Sequence, residues 1–147
     1  MYGDTGVMRR RAAQLREQGV DIRTMADQLV SQTEGIAWTG RAADAMRERI
    51  RERAAHLREV ATSHDTAADS LERHFHEVDS VKDAIAATER KATALTTEAR
   101  TRVAQVASYD DPDGVSRISS EEDRTLADFT PPPHGHKDWL SVNLPGL

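Results

Sequence analysis

Between Arg41 and Asp111 the chain runs 71 residues without a glycine or a proline. These two residues are the ones that interrupt helices, glycine by its backbone freedom and proline by its missing N–H. A stretch of that length without either, and with many Ala, Arg and Glu residues, points to one long helix. The tripeptide Trp38-Thr39-Gly40 stands immediately before it, and a second helical pattern precedes the tripeptide. The expected fold is all-α: a helical hairpin with an unusually long second helix, associating into a helical bundle. Most enzyme scaffolds are excluded by such an arrangement.

Hydrophobic spacing supports both helices. In the first, Met8, Leu15, Ile22, Leu29 and Ile36 follow one another at intervals of seven, with Ala12 and Met25 between them. This is a heptad seam. Asp4 or Thr5 can cap its start, giving a helix over about residues 5–36. Gly19 falls inside it and predicts a local bend, at a helix-propensity loss of about 1 kcal/mol relative to Ala.

After the turn the same period returns as Ala43, Ile50, Leu57, His64, Leu71, Val78, Ile85, Ala92, Ala99 and Val106. Positions three later (Met46, Val60, Ala67, Val81, Leu95) and four later (Ala54, Ala61, Ala68, Phe75, Val103) widen the stripe. The phase holds across the weak segment Thr62–Thr66, where a loop would reset it. A continuous helix over about 41–108 is favoured, with a break near 62–66 as the alternative.

The first helix spans roughly 45 Å, whereas Ala43–Val106 spans on the order of 95 Å. A stripe from Leu71 to Val106 would then face water, and exposed stripes of that length are rare. A partner chain must cover it, or the helix must fold back. The expected association seam consists of Leu57, Leu71, Phe75, Val78, Ile85 and Leu95.

Composition narrows the classes further. With 4% aromatic residues and a mean hydropathy of -0.67, the chain has little bulky apolar material for a globular core. Residues 1–60 carry 11 basic and 9 acidic side chains and residues 61–147 carry 9 and 16, so the net charge of -5 sits in the C-terminal part. The Arg-rich stretch Arg41–Arg53 is interleaved with Asp44, Glu48 and Glu52, which would repel phosphates. It reads as a solvated face with i,i+4 pairs, and no nucleic-acid partner is expected. No apolar run approaches the roughly 18 residues of a membrane helix. Met1 to Arg11 has no apolar leader core, so no cleavable signal peptide is expected.

Cysteine is absent. His74 and His76 point to different faces of one helix, and His134-Gly135-His136 lies in a segment read as mobile, so no metal and no cofactor are expected. His64, on the seam, reads as a polar contact that sets register. No nucleophile–base constellation, phosphate loop or zinc-helix motif is present, and no enzymatic activity is expected. Asp110 to Gly114 stops the helix. Ser120-Glu121-Glu122-Asp123 can cap a short helix reaching Phe129. Pro131-Pro132-Pro133 then begins an extended tail that ends with Trp139, Leu140, Val142 and Leu144 among polar residues. The domain reading is a hairpin over 1–108 and a mobile, acidic, proline-containing tail over 109–147.

Trp38 and Gly40, set between two heptad helices, resemble the turn of the WXG-type small secreted proteins of type VII (ESX) secretion systems. The resemblance covers roughly residues 5–109. Members and their relatives often carry a Tyr-x-x-x-Asp/Glu export motif just beyond the second helix, and here Tyr109 and Asp113 stand at that place. Pro112 lies inside the motif, and the second helix and tail exceed the family's usual length. The resemblance implies an actinobacterial secretion substrate, or the companion of one, that acts by protein–protein recognition. It further implies a homo- or heterodimer with a similar hairpin, contact with secretion machinery, and export without a cleavable leader. A cytosolic coiled-coil adaptor or chaperone, and a targeting module for a separately encoded toxin, are the alternatives.

Overall fold

The structure, a computed structural model, describes residues 4–109 and 117–147. Its elements are α1 (Thr5–Glu34), α2 (Arg41–Ser108), α3 (Glu121–Ala127) and a 3₁₀ turn (Lys137–Ser141), and among the described residues there is no strand. The all-α hairpin with a long second helix is therefore the observed fold. The chain divides into two compact units, one over Asp4–Val78 and one over Asp79–Leu147, with α2 continuing from the first into the second.

Asp4 starts α1: its Oδ1 accepts from the backbone N–H of Gly6 at 2.8 Å and of Val7 at 3.3 Å. Helix α2 is unbroken through residues 62–66, where its polar side chains turn back onto their own helix. Thr62, Ser63 and Thr66 donate to the carbonyls of Arg58, Glu59 and Thr62 at 3.0, 3.2 and 3.0 Å. His64 Nδ1 donates to the Val60 carbonyl at 2.9 Å, so this histidine serves its own helix. Such bonds are compatible with helix continuity and leave no backbone group wanting.

In the hairpin unit the centre of the helix contact is made of small residues. Helix α1 buries Ala12, Gly19 and Ala26, and α2 buries Ala43, Ala54, Ala61, Ala68 and Phe75. The larger heptad residues lie beside this line: Met8, Leu15, Ile22, Ile50, Leu57 and Leu71 are half-buried. Gly19 is where the sequence expectation needs correcting. It is buried at the contact; a Cβ there would stand 3.3 Å from the Ala61 carbonyl oxygen and 3.0 Å from Asp65 Oδ1. Its value is the close approach of two backbones, which outweighs its poor helix propensity.

Interhelix ion pairs line one edge of the hairpin and fix its antiparallel register. Arg16 reaches Asp69 at 2.6 Å and Glu72 at 2.8 Å, Arg58 reaches Asp27 at 2.7 Å, and Arg51 reaches Glu34 at 3.6 Å. Arg23 pairs with Asp65. The Arg16 guanidinium holds the Glu72 carboxyl below its ordinary range by direct hydrogen bonding. Exposed pairs of this kind each contribute well under about 1 kcal/mol, so their role is alignment more than stability.

The second unit overturns the reading of an extended tail. From Arg117 onward the chain is folded onto α2. Leu126, Trp139 and Leu144 are buried together with Ile85, Ala92 and Ala99, and Val81, Leu95, Phe129, Val142 and Leu147 pack around them. The stripe from Ile85 to Ala99 is thus covered by the chain's own C-terminal segment, in which the short helix α3 contributes Leu126. The reversal occurs after the prolines, where Gly135 takes a positive φ of 69° and His136 N–H donates to the Pro133 carbonyl at 3.1 Å. Trp139 is 2% exposed, meets Phe129 edge-on at 6.2 Å, and donates its Nε1–H to the Pro133 carbonyl at 3.0 Å.

Polar ties secure the same segment. Arg100 donates to the carbonyls of Ala127 and Phe129 at 3.1 and 3.2 Å. Glu89 accepts from His134 Nδ1 at 2.8 Å and from Gly135 N–H at 3.3 Å. The His134 hydrogen bond, aided by the Gly135 N–H, lowers the Glu89 carboxyl from its ordinary value of 4.5. A carboxyl depressed on folding stabilises fully above its unfolded pKa, and that contribution is lost as pH falls through the lower folded value. Glu89→Gln is therefore expected to lower the melting temperature near neutrality and to lose this effect below the carboxylate range. Melting curves of both proteins at stepped pH check this; a difference independent of pH would remove Glu89 as the acid-sensitive tie.

Candidate functional site

The Trp-x-Gly turn is built from three local features. Helix α1 ends at Gly35, whose N–H bonds the Ser31 carbonyl at 3.1 Å. Gly40 then takes a φ of 108°, a region closed to most side chains, and this lets the chain enter α2 at once. No heavy atom lies within 4 Å of a Cβ built there, so the demand for glycine is one of backbone angle alone.

Arg47 fastens the turn from one side. Its Nη2 donates to the carbonyls of Ile36 and Trp38, and its Nη1 lies 3.3 Å from Asp44 Oδ1. Two carbonyls that the turn leaves outside any helix are thereby satisfied. Sequence reasoning read Arg47 as one more charge on a solvated face; seven residues after Gly40, its side chain reaches back over two turns of helix.

Trp38 is 48% exposed. It borders a groove of about 240 Å³ lined by Ile36, Ala43, Met46 and Ile50 with Thr33 and Arg47. Ile36 and Met46 are exposed as well. With its backbone carbonyl held and its ring half in water, Trp38 is a presented side chain rather than a core one.

An apolar edge runs from this groove along the hairpin. Leu29 of α1 and Ile36 of the turn that follows it are exposed, as is Met46 of α2, and Leu57, Val60 and Leu71 are half-buried. By helical periodicity these residues lie on the side of the contact line opposite the ion pairs. Of the six expected seam residues, Phe75 is buried in this unit, with the Arg9 guanidinium 4.3 Å above its ring. Leu57, Leu71 and Val78 are half-buried. In the second unit Ile85 is buried and Leu95 is partly buried, both within the core made with the C-terminal segment.

Tyr109 follows the last residue of α2. Its N–H donates to the Val106 carbonyl at 3.4 Å, the residue is 49% exposed, and the Arg117 guanidinium lies 4.0 Å from the ring centroid. Asp113, its expected companion in the motif, lies outside the described residues. Close by, Arg102 grips Asp123 through Nε and Nη2 at 3.0 and 2.7 Å to Oδ1. This pair keeps the Asp123 carboxyl below its ordinary range. Sequence reasoning missed both arginines, because neither spacing nor composition sets them apart from the other basic residues of the chain.

Among the described residues no group of three His, Asp or Glu side chains gathers as a metal site would need, and no helix is long and apolar enough to cross a membrane. The arrangement offers presented side chains and surfaces for contact. No family model, curated protein or solved structure matches this chain, so the functional reading rests on its own residues.

Proposed function

We propose that the protein is a recognition module of the WXG type, carried by a type VII secretion system as a substrate or as the companion of one. It performs no reaction. Its working parts are the Trp38–Gly40 turn, the apolar edge of the hairpin, and the Tyr109 end of α2. The observation that carries the reading is Trp38: a large ring, half exposed at a turn whose backbone is fixed by Gly40 and Arg47. Tryptophan presented in this way is characteristic of contact surfaces, where it contributes more than most residues.

The apolar edge takes a second hairpin, either another copy or a similar protein. One edge of the hairpin is already committed to ion pairs, and the opposite one keeps Leu29, Ile36 and Met46 open to water. Light scattering at micromolar concentration, on the chain alone and with the products of neighbouring genes, is expected to give a dimer or larger species. A strictly monomeric chain in every mixture would sink the bundle.

For the turn, Trp38→Ala is expected to cost about 1–2 kcal/mol, short of the roughly 3–5 kcal/mol of an enclosed tryptophan, because about half of the residue is already in water. Export into the culture medium of the native host is expected to fall sharply. Unchanged export would make Trp38 incidental. A protein retained in the cell whatever the variant would favour the cytosolic adaptor.

A further inference from the structure

We infer that Arg117 is a positioning residue for Tyr109, holding the tyrosine ring in the orientation that its recognition requires; the inference rests on the proposed export function. Tyr109 stands just past the last helical residue, where a side chain would ordinarily sample several rotamers. Here the Arg117 guanidinium stacks on the ring at 4.0 Å from its centroid. One face of the ring is taken by the arginine, while nearly half of the residue remains open at 49% exposure. A guanidinium stacks on an aromatic face as a flat plate and keeps its edge N–H groups available. Tyr109 is thus offered as a fixed ring with a cation beside it.

Arg117 itself is held in place through the start of α3. Ser120 caps that helix, its Oγ accepting from Asp123 N–H at 3.1 Å. Asp123 is clamped to Arg102 of α2, with Nη2 to Oδ1 at 2.7 Å, and only 18% of its side chain is exposed. Arg102 lies on α2, seven residues before Tyr109. The clamp therefore anchors the cap of α3, three residues beyond Arg117, to the helix that ends one residue before the tyrosine. Ile118, next to Arg117, is 78% exposed and lines the same shallow depression as Tyr109 and Arg117. A receptor that takes Tyr109 accordingly meets a ring and a cation in fixed relation.

The test compares Tyr109→Ala, Arg117→Ala and Arg117→Lys for export in the native host, alongside thermal unfolding and the NMR shifts of the Arg117 side chain. In the wild type the Arg117 methylene protons next to the guanidinium are expected upfield, from the ring current of Tyr109. Arg117→Ala is expected to lower export about two- to fivefold, the factor by which an exposed cation–π contact favours one orientation, with the unfolding midpoint unchanged. Arg117→Lys, which keeps a cation able to lie over the ring, is expected to recover part of the loss. If Tyr109→Ala blocks export while Arg117→Ala is exported as wild type, the positioning role is overturned and the export reading stands. Arg117 methylene shifts left unchanged by Tyr109→Ala would also overturn it, since the two side chains would then not be stacked in solution. Normal export of Tyr109→Ala would overturn the export reading itself, and this inference with it.

Discussion

Replacing Trp139 with alanine is expected to release the C-terminal segment from α2. The ring is almost wholly enclosed and lies among Ile85, Ala92, Ala99, Leu126 and Leu144. Truncating a side chain of that size removes its apolar burial and leaves a void that short neighbours such as Ala92 and Ala99 cannot refill. The expected loss is about 3–5 kcal/mol for this unit. The Nε1–H bond to the Pro133 carbonyl and the edge contact with Phe129 disappear at the same time. Limited proteolysis gives a direct readout: cleavage within residues 117–147 is expected to become fast, while helical circular dichroism from α1 and most of α2 persists. Trp139→Phe, which keeps a ring but not the donor, is expected to fall between the two. Wild-type protease resistance in Trp139→Ala would show that the segment is held by its polar ties to Glu89, Arg100 and Arg102 and not by the buried ring.

That unit also marks where the sequence stops being legible. The bounds of α2 follow from its glycine- and proline-free composition and from a heptad that never changes phase, so its expected and observed limits coincide. Asp4 and Ser120 act as the caps their positions suggest. The residues that cover α2 between Ile85 and Ala99 show no such period. Leu126, Phe129, Trp139 and Leu144 are scattered among prolines, glycines and charges, and a triple proline read alone suggests an extended strand. Only the reversal at Gly135 brings them to one place. Long-range packing of irregular segments leaves no local signature, and the same holds for Arg47, Arg102 and Arg117. Each is one arginine among 17, set apart only by what it reaches in space.

Heptad reading likewise identifies the right stripe but misplaces its deepest line. Sequence weighting favours large residues such as Leu57 and Leu71, yet the fully buried positions are Ala54, Ala61 and Ala68. Small residues can sit at the centre because the helices come close, and the larger ones then flank the contact. Ranking by hydrophobicity cannot see this, since alanine scores low in either place. The separation of Gly19 from Ala61 in space decides it.

The second large effect is expected at that point. Ala61→Asp would place a carboxylate on α2 directly beneath Gly19, at a residue with no exposed surface. Asp65 stands one turn further along the same helix, and its own Oδ1 already lies near Gly19, so the new charge meets a like charge at i,i+4. Arg23, across the contact, is committed to Asp65. Enclosing a charge without compensation is expected to destabilise the hairpin by about 3–5 kcal/mol, enough to separate α1 from α2 over much of their length. Ala61→Ser serves as the comparison, because its hydroxyl can bond the carbonyl one turn back and add little volume, for a loss of about 1 kcal/mol. Urea titrations followed at the helical band are expected to rank the proteins wild type, Ala61→Ser, Ala61→Asp, with the last far to the low side. Leu71→Asp, at a half-buried flanking site, is expected to fall between Ser and Asp at position 61. If Leu71→Asp proves the more damaging, the weight of the contact lies on the flanking residues, and the alanine line is only the space between them.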